Sequence, residues 1–258
     1  MRLVDSPFDS AHYGLAIGRL VRDGGDGPDE LAAAIATARR EQYAVVFVRL
    51  AGDDPLRGAL DGAGHAAIDT LVTSTLATRP GIPRSREPAP EAVPEIAPEV
   101  AIERCDRLAD PADVAAVAAI SGEAIRTSHL HADPRLPAER TRALYAAWAS
   151  NDVTGRAQQT IVARAGRPLI GFLAVVAAPA AAPAAAMIDL VAVASAWRGR
   201  GAGAMLIAGF VDWLGGLGDR AITATVGTQA DNPALRLYAR CGFVPTATHV
   251  TYHLWLDR

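Results

Sequence analysis

The chain has no lysine: all 25 basic residues among its 258 are arginine. That excludes a Schiff-base lysine and the lysine of a Walker phosphate-binding loop. Cysteine is nearly as scarce, with Cys105 and Cys241 far apart and in no paired motif. Two such residues build neither a disulfide framework nor a cysteine zinc site, so no metal is expected, although a histidine-based site stays formally open. Aromatic residues make up only 5%, and the net charge is −3 without any basic run. Nucleic-acid binding through a phosphate-neutralising surface is therefore not expected. The segment Met1-Arg2-Leu3-Val4-Asp5-Ser6-Pro7 lacks the apolar core of a signal peptide. Two unpaired cysteines fit a reducing, cytoplasmic setting.

Apolar material is plentiful: half of the residues are hydrophobic against 21% charged. The stretch from Leu169 to Ile188 is uncharged for twenty residues, which by length alone could span a bilayer. Pro179 and Pro183 would break a helix in its middle, and much of the stretch is alanine. Two β-type runs, Ile170–Val176 and Met187–Val193, flank that hinge. A buried hairpin is the better reading, and no membrane partner is expected.

Prolines 80, 83, 88, 90, 94 and 98 punctuate the stretch between Arg79 and Glu99, which reads as a linker, residues 80–99. It separates a small N-terminal α/β domain, residues 1–79, from a larger one, residues 100–258. The smaller part has a helix over Asp29–Arg40, a buried strand over Tyr43–Leu50 and a further strand at Ala67–Thr78. In the larger part, Val100–Leu108 reads as a strand. Asp110-Pro111-Ala112-Asp113 starts a helix with a capping residue, a first-turn proline and an acid. A second helix covers Ala138–Ser150, and strands follow near 158–165, 168–177 and 186–194. A glycine turn, a helix (202–217), a strand (221–227), a helix (232–241) and a terminal β-hairpin (243–256) complete the order. The fold class is α/β, with a mixed sheet of the α+β kind.

The run from Asp189 to Leu206 reads strand, tight turn, helix. Glycines in Arg198-Gly199-Arg200-Gly201-Ala202-Gly203 let backbone N–H groups converge on an anion. The helix beginning there adds unsatisfied donors and the positive end of its dipole, and Arg198 and Arg200 add charge for phosphates. A cofactor pyrophosphate is the natural guest, with a plain tight connection as the alternative. A Rossmann fingerprint fits poorly, because the glycine spacing is wrong and no second strand ends in a suitable acid.

A second motif follows: Gln229-Ala230-Asp231-Asn232-Pro233-Ala234-Leu235-Arg236-Leu237-Tyr238-Ala239-Arg240-Cys241-Gly242-Phe243. Taken together, Arg198-x-x-Gly201-x-Gly203 and Asn232…Tyr238-x-x-x-Gly242-Phe243 resemble the GNAT superfamily of acyl-CoA N-acyltransferases, over residues 100–258. The resemblance implies a GNAT fold, acetyl-CoA as donor and direct attack by an amine. It implies that backbone groups of Val191 and Val193 hold the pantetheine arm. It further implies that Asn232 contacts the cofactor and that the Tyr238 hydroxyl sits near the sulfur as general acid. Asp189 stands where many members carry a glutamate base; a strand-end structural carboxylate, with a water relay as base, is the alternative.

The segment Ser128–Pro137, followed by Leu144-Tyr145-Ala146-Ala147-Trp148, is similar to bacterial TDP-fucosamine N-acetyltransferases. So are Asp5-Ser6-Pro7-Phe8…Tyr13-Gly14…Ile17-Gly18-Arg19-Leu20 and Ile68–Thr73. Two positions depart: His12 precedes Tyr13-Gly14 where those enzymes have an aromatic residue, and Leu130 replaces another. The likeness implies a nucleotide-linked amino-deoxysugar as acceptor. His129, His131 and Arg135 lie on a polar, proline-punctuated loop suited to lining an acceptor site, with an ordinary solvated loop as the alternative. A different small amine, a protein amine, or a non-catalytic acyl-CoA-binding module are the competing readings, and a homodimer is compatible with each. His12, His65, His249 and His253 read as structural or surface residues rather than metal ligands.

Overall fold

The computed structural model describes residues 1–22, 24–77, 100–177, 185–217 and 222–256. The proline-rich stretch 80–99 and most of the alanine–proline hinge lie outside them. The chain is a mixed α/β protein of two compact units. One comprises Met1–Val72, Thr127–Thr141 and Ala247–Arg258; the other comprises Thr73–Arg126 and Arg142–Thr246. Contacts thus draw two later pieces of chain into the N-terminal unit, a grouping that differs from the contiguous stretches 1–79 and 100–258 expected from the sequence.

In the first unit the strands are β1 (Arg2–Asp5), β2 (Ile17–Val21), β3 (Val45–Ala51) and most of β10 (Val244–Trp255), adjacent in that order. The β2–β3 pair is parallel, and β3 meets β10 antiparallel from Ala51↔His249 to Val45↔Trp255. The helices are α1 (Pro7–Tyr13), α2 (Pro28–Arg40), α3 (Leu56–Gly62) and the single turn α5 (His129–Ala132). Leu31, Ala34 and Ala38 of α2 and Leu56 and Leu60 of α3 bury with Val46, Val48, Tyr252 and Leu254. Each fully buried leucine or valine of such a cluster stabilises by about 1.5–3 kcal/mol. The terminal hairpin expected over 243–256 is instead one twelve-residue strand, β10. No glycine interrupts that stretch, and β-branched and aromatic residues run through it, so nothing supplies the positive backbone angle of a tight turn.

The second unit is built on β5 (Val100–Cys105), β6 (Gln159–Ala165), β7 (Leu169–Ala177), β8 (Ala185–Val193), β9 (Thr223–Gln229) and the end of β4 (Ala67–Ala77). Their order is β4-β9-β8-β7-β6-β5. From β5 to β8 they form an antiparallel meander, whereas β8 and β9 are parallel. Helices α4 (Pro111–Ala124), α6 (Ala138–Asn151, continuing from Arg142 in this unit), α7 (Ala202–Gly216) and α8 (Ala234–Arg240) complete it. The Asp110 cap holds as its spacing suggested, its carboxylate accepting from Ala112 N–H at 2.9 Å. β7 is buried at every position from Leu169 to Val176, which explains its unbroken apolar run without a membrane. Among the described residues no helix is long and apolar enough to cross one. Leu206, Ile207, Phe210 and Leu214 of α7 pack on Ile161, Leu173, Val175 and Ile188.

Candidate active site

Pairing between β8 and β9 runs from Ala185↔Thr223 to Ile188↔Val226 and stops there, although both strands continue. The strands therefore part beyond Ile188. On the other side of β8, Ala194 N–H donates to Ile170 carbonyl at 2.8 Å, and the β7–β8 register pairs Ala192 with Phe172. Backbone groups alternate sides along an antiparallel strand. Even-numbered residues here bond to β7, so the N–H and C=O groups of Val191 and Val193 point into the opening. An extended amide-bearing chain could be held there as an added strand is held. Part of that capacity is used within the protein: Val193 carbonyl accepts from Arg198 Nε at 3.0 Å.

Beyond the opening comes the glycine turn. Gly199 and Gly201 take φ of +74° and +84°, where a Cβ is disfavoured, and a Cβ on Gly199 would meet nothing within 4 Å. Gly201 is the residue before α7, and its carbonyl accepts the first helical bond, from Met205. The N–H groups of Ala202 and Gly203 in the first turn have no carbonyl within the helix to bond. Gly203 is tight for a different reason, since a Cβ there would stand 3.1 Å from Leu237 Cδ2. This arrangement, open at Gly199 and donor-rich at the helix start, fits a pyrophosphate. Of the two expected cations, Arg198 is tied to Val193 and Arg200 lies over the Trp197 ring at 5.4 Å.

Asn232 and Tyr238 belong to α8 and its approach. Asn232 Oδ1 accepts from Ala234 N–H at 2.9 Å, which secures the start of the helix. Tyr238 is 4% exposed and leans on Phe243, with ring centroids 5.9 Å apart. Burial, with the Cys241 thiol adding to it, pushes the Tyr238 phenol well above its ordinary value. It keeps its proton across the neutral range, as a general acid must.

Asp189 occupies a β-bulge. Ala174 faces Leu190 and Val175 faces Ile188, which leaves Asp189 as the extra residue. Bulges of this kind re-aim a side chain, here at the first residue beyond the last β8–β9 pair. Its Oδ2 accepts from Trp148 Nε1–H at 2.8 Å and from Arg156. Asp152, fully buried, lies beside it, with Arg156 Nε 2.8 Å from Asp152 Oδ1. Burial first, then the Asp189 charge, raises the Asp152 carboxyl to about 8. Sequence reasoning did not assign Trp148, Asp152 or Arg156 to a site. The Asp152-x-x-x-Arg156 spacing was a visible signal, but their meeting with Asp189 is tertiary.

His129, His131 and Arg135 lie in the first unit. The expected polar loop is an ordered turn: Ser128 caps α5 by accepting from His131 N–H, and Leu130, Asp133 and Leu136 are buried. Asp133 Oδ2 accepts from His253 Nδ1 at 2.6 Å and from Trp255 Nε1 at 2.9 Å. Burial pushes this carboxyl up, yet those bonds and the one from Arg135 N–H outweigh it and leave it below its usual value. An ionised carboxylate only accepts, so His253 carries its proton on Nδ1. Its Nε2 then accepts from His129 Nδ1–H at 2.8 Å, which leaves the lone pair of His129 on Nε2. Burial first, then the His253 charge, holds His129 well below the usual imidazole value, and burial lowers His253 as well. Phe47 stacks on His253 at 4.1 Å, and the Arg135 guanidinium lies 4.0 Å from the Trp255 ring. His131 Nδ1 is 2.8 Å from Ser128 Oγ. His253 is buried within this run of hydrogen bonds, a placement with no signal in the sequence. Among the described residues no cluster could hold a metal ion.

The model of the acetyltransferase (GNAT) family matches residues 86–243. The spore coat polysaccharide biosynthesis protein SpsD of Bacillus subtilis (strain 168) is 29% identical over 147 residues, covering 57% of this chain and 49% of SpsD. The chain thus spans about half the length of that relative. A tandem GNAT protein from the clavulanic acid biosynthesis pathway superposes with a TM-score of 0.62 at 19% identity, over 95% of this chain and 77% of its own. A GCN5-related N-acetyltransferase from Sphaerobacter thermophilus gives 0.60 at 14% identity, over 96% and 75%. At such identities the two structures speak for the fold. The sequence match takes in both the glycine turn and the helix carrying Tyr238, and this chain belongs to the acetyltransferase (GNAT) family.

Proposed function

We propose that the chain is an acetyl-CoA-dependent N-acetyltransferase acting on a small amine, in the sharpest form the amino group of a nucleotide-linked amino-deoxysugar. The observation that carries the donor half is the parting of β8 from β9 after Ile188↔Val226, with the left-handed Gly201 and the start of α7 following the end of β8. Acetyl-CoA would supply a thioester carbonyl activated for attack. Backbone groups of Val191 and Val193 bind the pantetheine arm, and the turn Arg198-Gly199-Arg200-Gly201-Ala202-Gly203 binds the pyrophosphate through N–H groups and charge. Asn232 fixes the start of α8 and stands at the cofactor. Tyr238 gives its proton to the departing sulfur, and Asp189 takes one from the attacking nitrogen.

On the acceptor side, His129 offers a neutral imidazole lone pair at Nε2, oriented by His253 and Asp133. Such an acceptor suits an ammonium or sugar hydroxyl, and His131 and Arg135 flank it in sequence. SpsD's naming as a polysaccharide biosynthesis protein supports a sugar acceptor. The cytoplasmic setting expected from two unpaired cysteines belongs to the same reading, in which the amino sugar is made before export.

The test is a panel of TDP- and UDP-linked amino sugars beside simple amines and peptide amines, with acetyl-CoA and free CoA measured. Turnover confined to amino sugars is expected. Turnover of simple amines alone would overturn the acceptor, and CoA binding without any turnover would favour the non-catalytic module.

A further inference from the structure

Asp152 has no part in the mechanism above, yet it is a fully buried carboxyl in the same unit as the reactive strand. It begins the π-helical turn Asp152–Arg156 that ends α6, and Gly155 inside that turn has a φ of 153°. The turn is anchored: Leu108 N–H donates to Val153 carbonyl at 2.7 Å, and Ala157 N–H to Asp152 carbonyl at 3.0 Å. Arg156 therefore folds back over its own turn and bridges two carboxyls, Nε to Asp152 and its other end to Asp189. Trp148 Nε1–H fastens the Asp189 oxygen that Arg156 also holds. One guanidinium compensates one charge, and both carboxyl side chains are at most 8% exposed. A second negative charge in so dry a place is costly, so the pair keeps a proton.

We propose that Asp152 is a positioning residue for acetyl transfer: it and Asp189 form one proton-sharing pair, bracketed by Arg156, and the pair rather than Asp189 alone is the base. This rests on the reading that the chain acetylates an amine with Asp189 facing it. The step balances simply. The amine nitrogen bonds to the carbonyl carbon as the carbon–sulfur bond breaks, sulfur takes the Tyr238 proton, and the nitrogen proton goes to the pair and on to water. A solitary carboxylate is a feeble base toward an amine, whereas the doubly ionised pair, which takes up its first proton tightly, is matched to mildly alkaline pH. The charged groups that bear on Asp152 are Asp189 from β8 and Arg156 from its own turn.

Two measurements test it. The first needs no substrate: carbon-13 NMR or infrared titration of carboxyl groups in the whole protein. A carboxyl titrating near pH 8 is expected, in line with the raised value of Asp152, lost in Asp152→Asn and moved toward acid in Asp189→Asn. The second is the pH profile of kcat with one amine. In Asp152→Asn the limb that follows the pair shifts toward acid while a limb due to the amine stays, and the maximum falls about tenfold or more. Affinity for CoA and the thermal midpoint report whether the variant is folded. If no carboxyl of the wild-type protein titrates above pH 6, or if Asp152→Asn leaves the profile unchanged, the pair is not the base. A wild-type protein that shows the titration but acetylates no amine would overturn both this role and the acetyl-transfer reading. Absence of the titration in an active enzyme overturns the pair alone.

Discussion

Replacing Gly201 by alanine separates backbone strain from ligand contact. Gly201 has a φ of +84° and Gly166, in the turn between β6 and β7, has +61° with nothing within 4 Å of an added Cβ. A Cβ in this left-handed region costs about 1–2 kcal/mol. At about 2–4 °C per kcal/mol for a chain of this size, each alanine variant lowers the thermal midpoint by roughly 2–8 °C. The two should melt alike. They should not bind alike, because in the proposed site only Gly201 aims the N–H groups of α7 at the pyrophosphate. Hydrogen bonds to a charged group contribute about 1.5–3 kcal/mol each. Losing one such bond raises Kd roughly tenfold to a hundredfold. Calorimetric titration with CoA, at a temperature where both variants are folded, reads this directly. Equal CoA affinity in Gly201→Ala and Gly166→Ala would refute the assignment of the turn as the pyrophosphate site.

Tyr238→Phe should lower kcat by about 10²–10⁴-fold, the usual contribution of a general acid, with CoA affinity unchanged; unaltered turnover removes Tyr238 from the chemistry. The buried histidines make a statement about stability. His129 and His253 have folded values below the ordinary imidazole value, so the unfolded chain binds more protons as pH falls past about 6.5. Stability is therefore full above that value and lost on acidification. His129→Gln should flatten the decline of the thermal midpoint between pH 7 and 5, and an unchanged slope would contradict the buried neutral pair. Asp133→Asn removes the acceptor that sets the tautomers, and should raise KM for the amine with little change in KM for acetyl-CoA.

Much of this was legible in the sequence because the forces are local. Alternation and apolar runs locate β3, β7 and β8, the Asp110-Pro111 pair starts α4, and glycines at 199 and 201 mark a turn that residues with a Cβ resist. The motif spacing places Tyr238 on one short helix and Asn232 at its approach, after one strand. What sequence alone could not supply depends on partners distant along the chain. The single strand β10 exists as one piece because β3 pairs along seven of its residues. Residues 128–137 look polar and loop-like until Asp133 meets His253 and Trp255, more than a hundred positions later. The resemblance singles out Asp189 as a candidate base but says nothing of its surroundings. The bulge against β7 turns it, and Trp148, Arg156 and Asp152 give it its electrostatics. The sequence by itself determined the strand–turn–helix that can present N–H groups to an anion, since φ preference and helix dipole belong to the residues and their order. Tertiary structure decided which carboxyls keep their protons, because only packing sets burial and brings a second charge within reach.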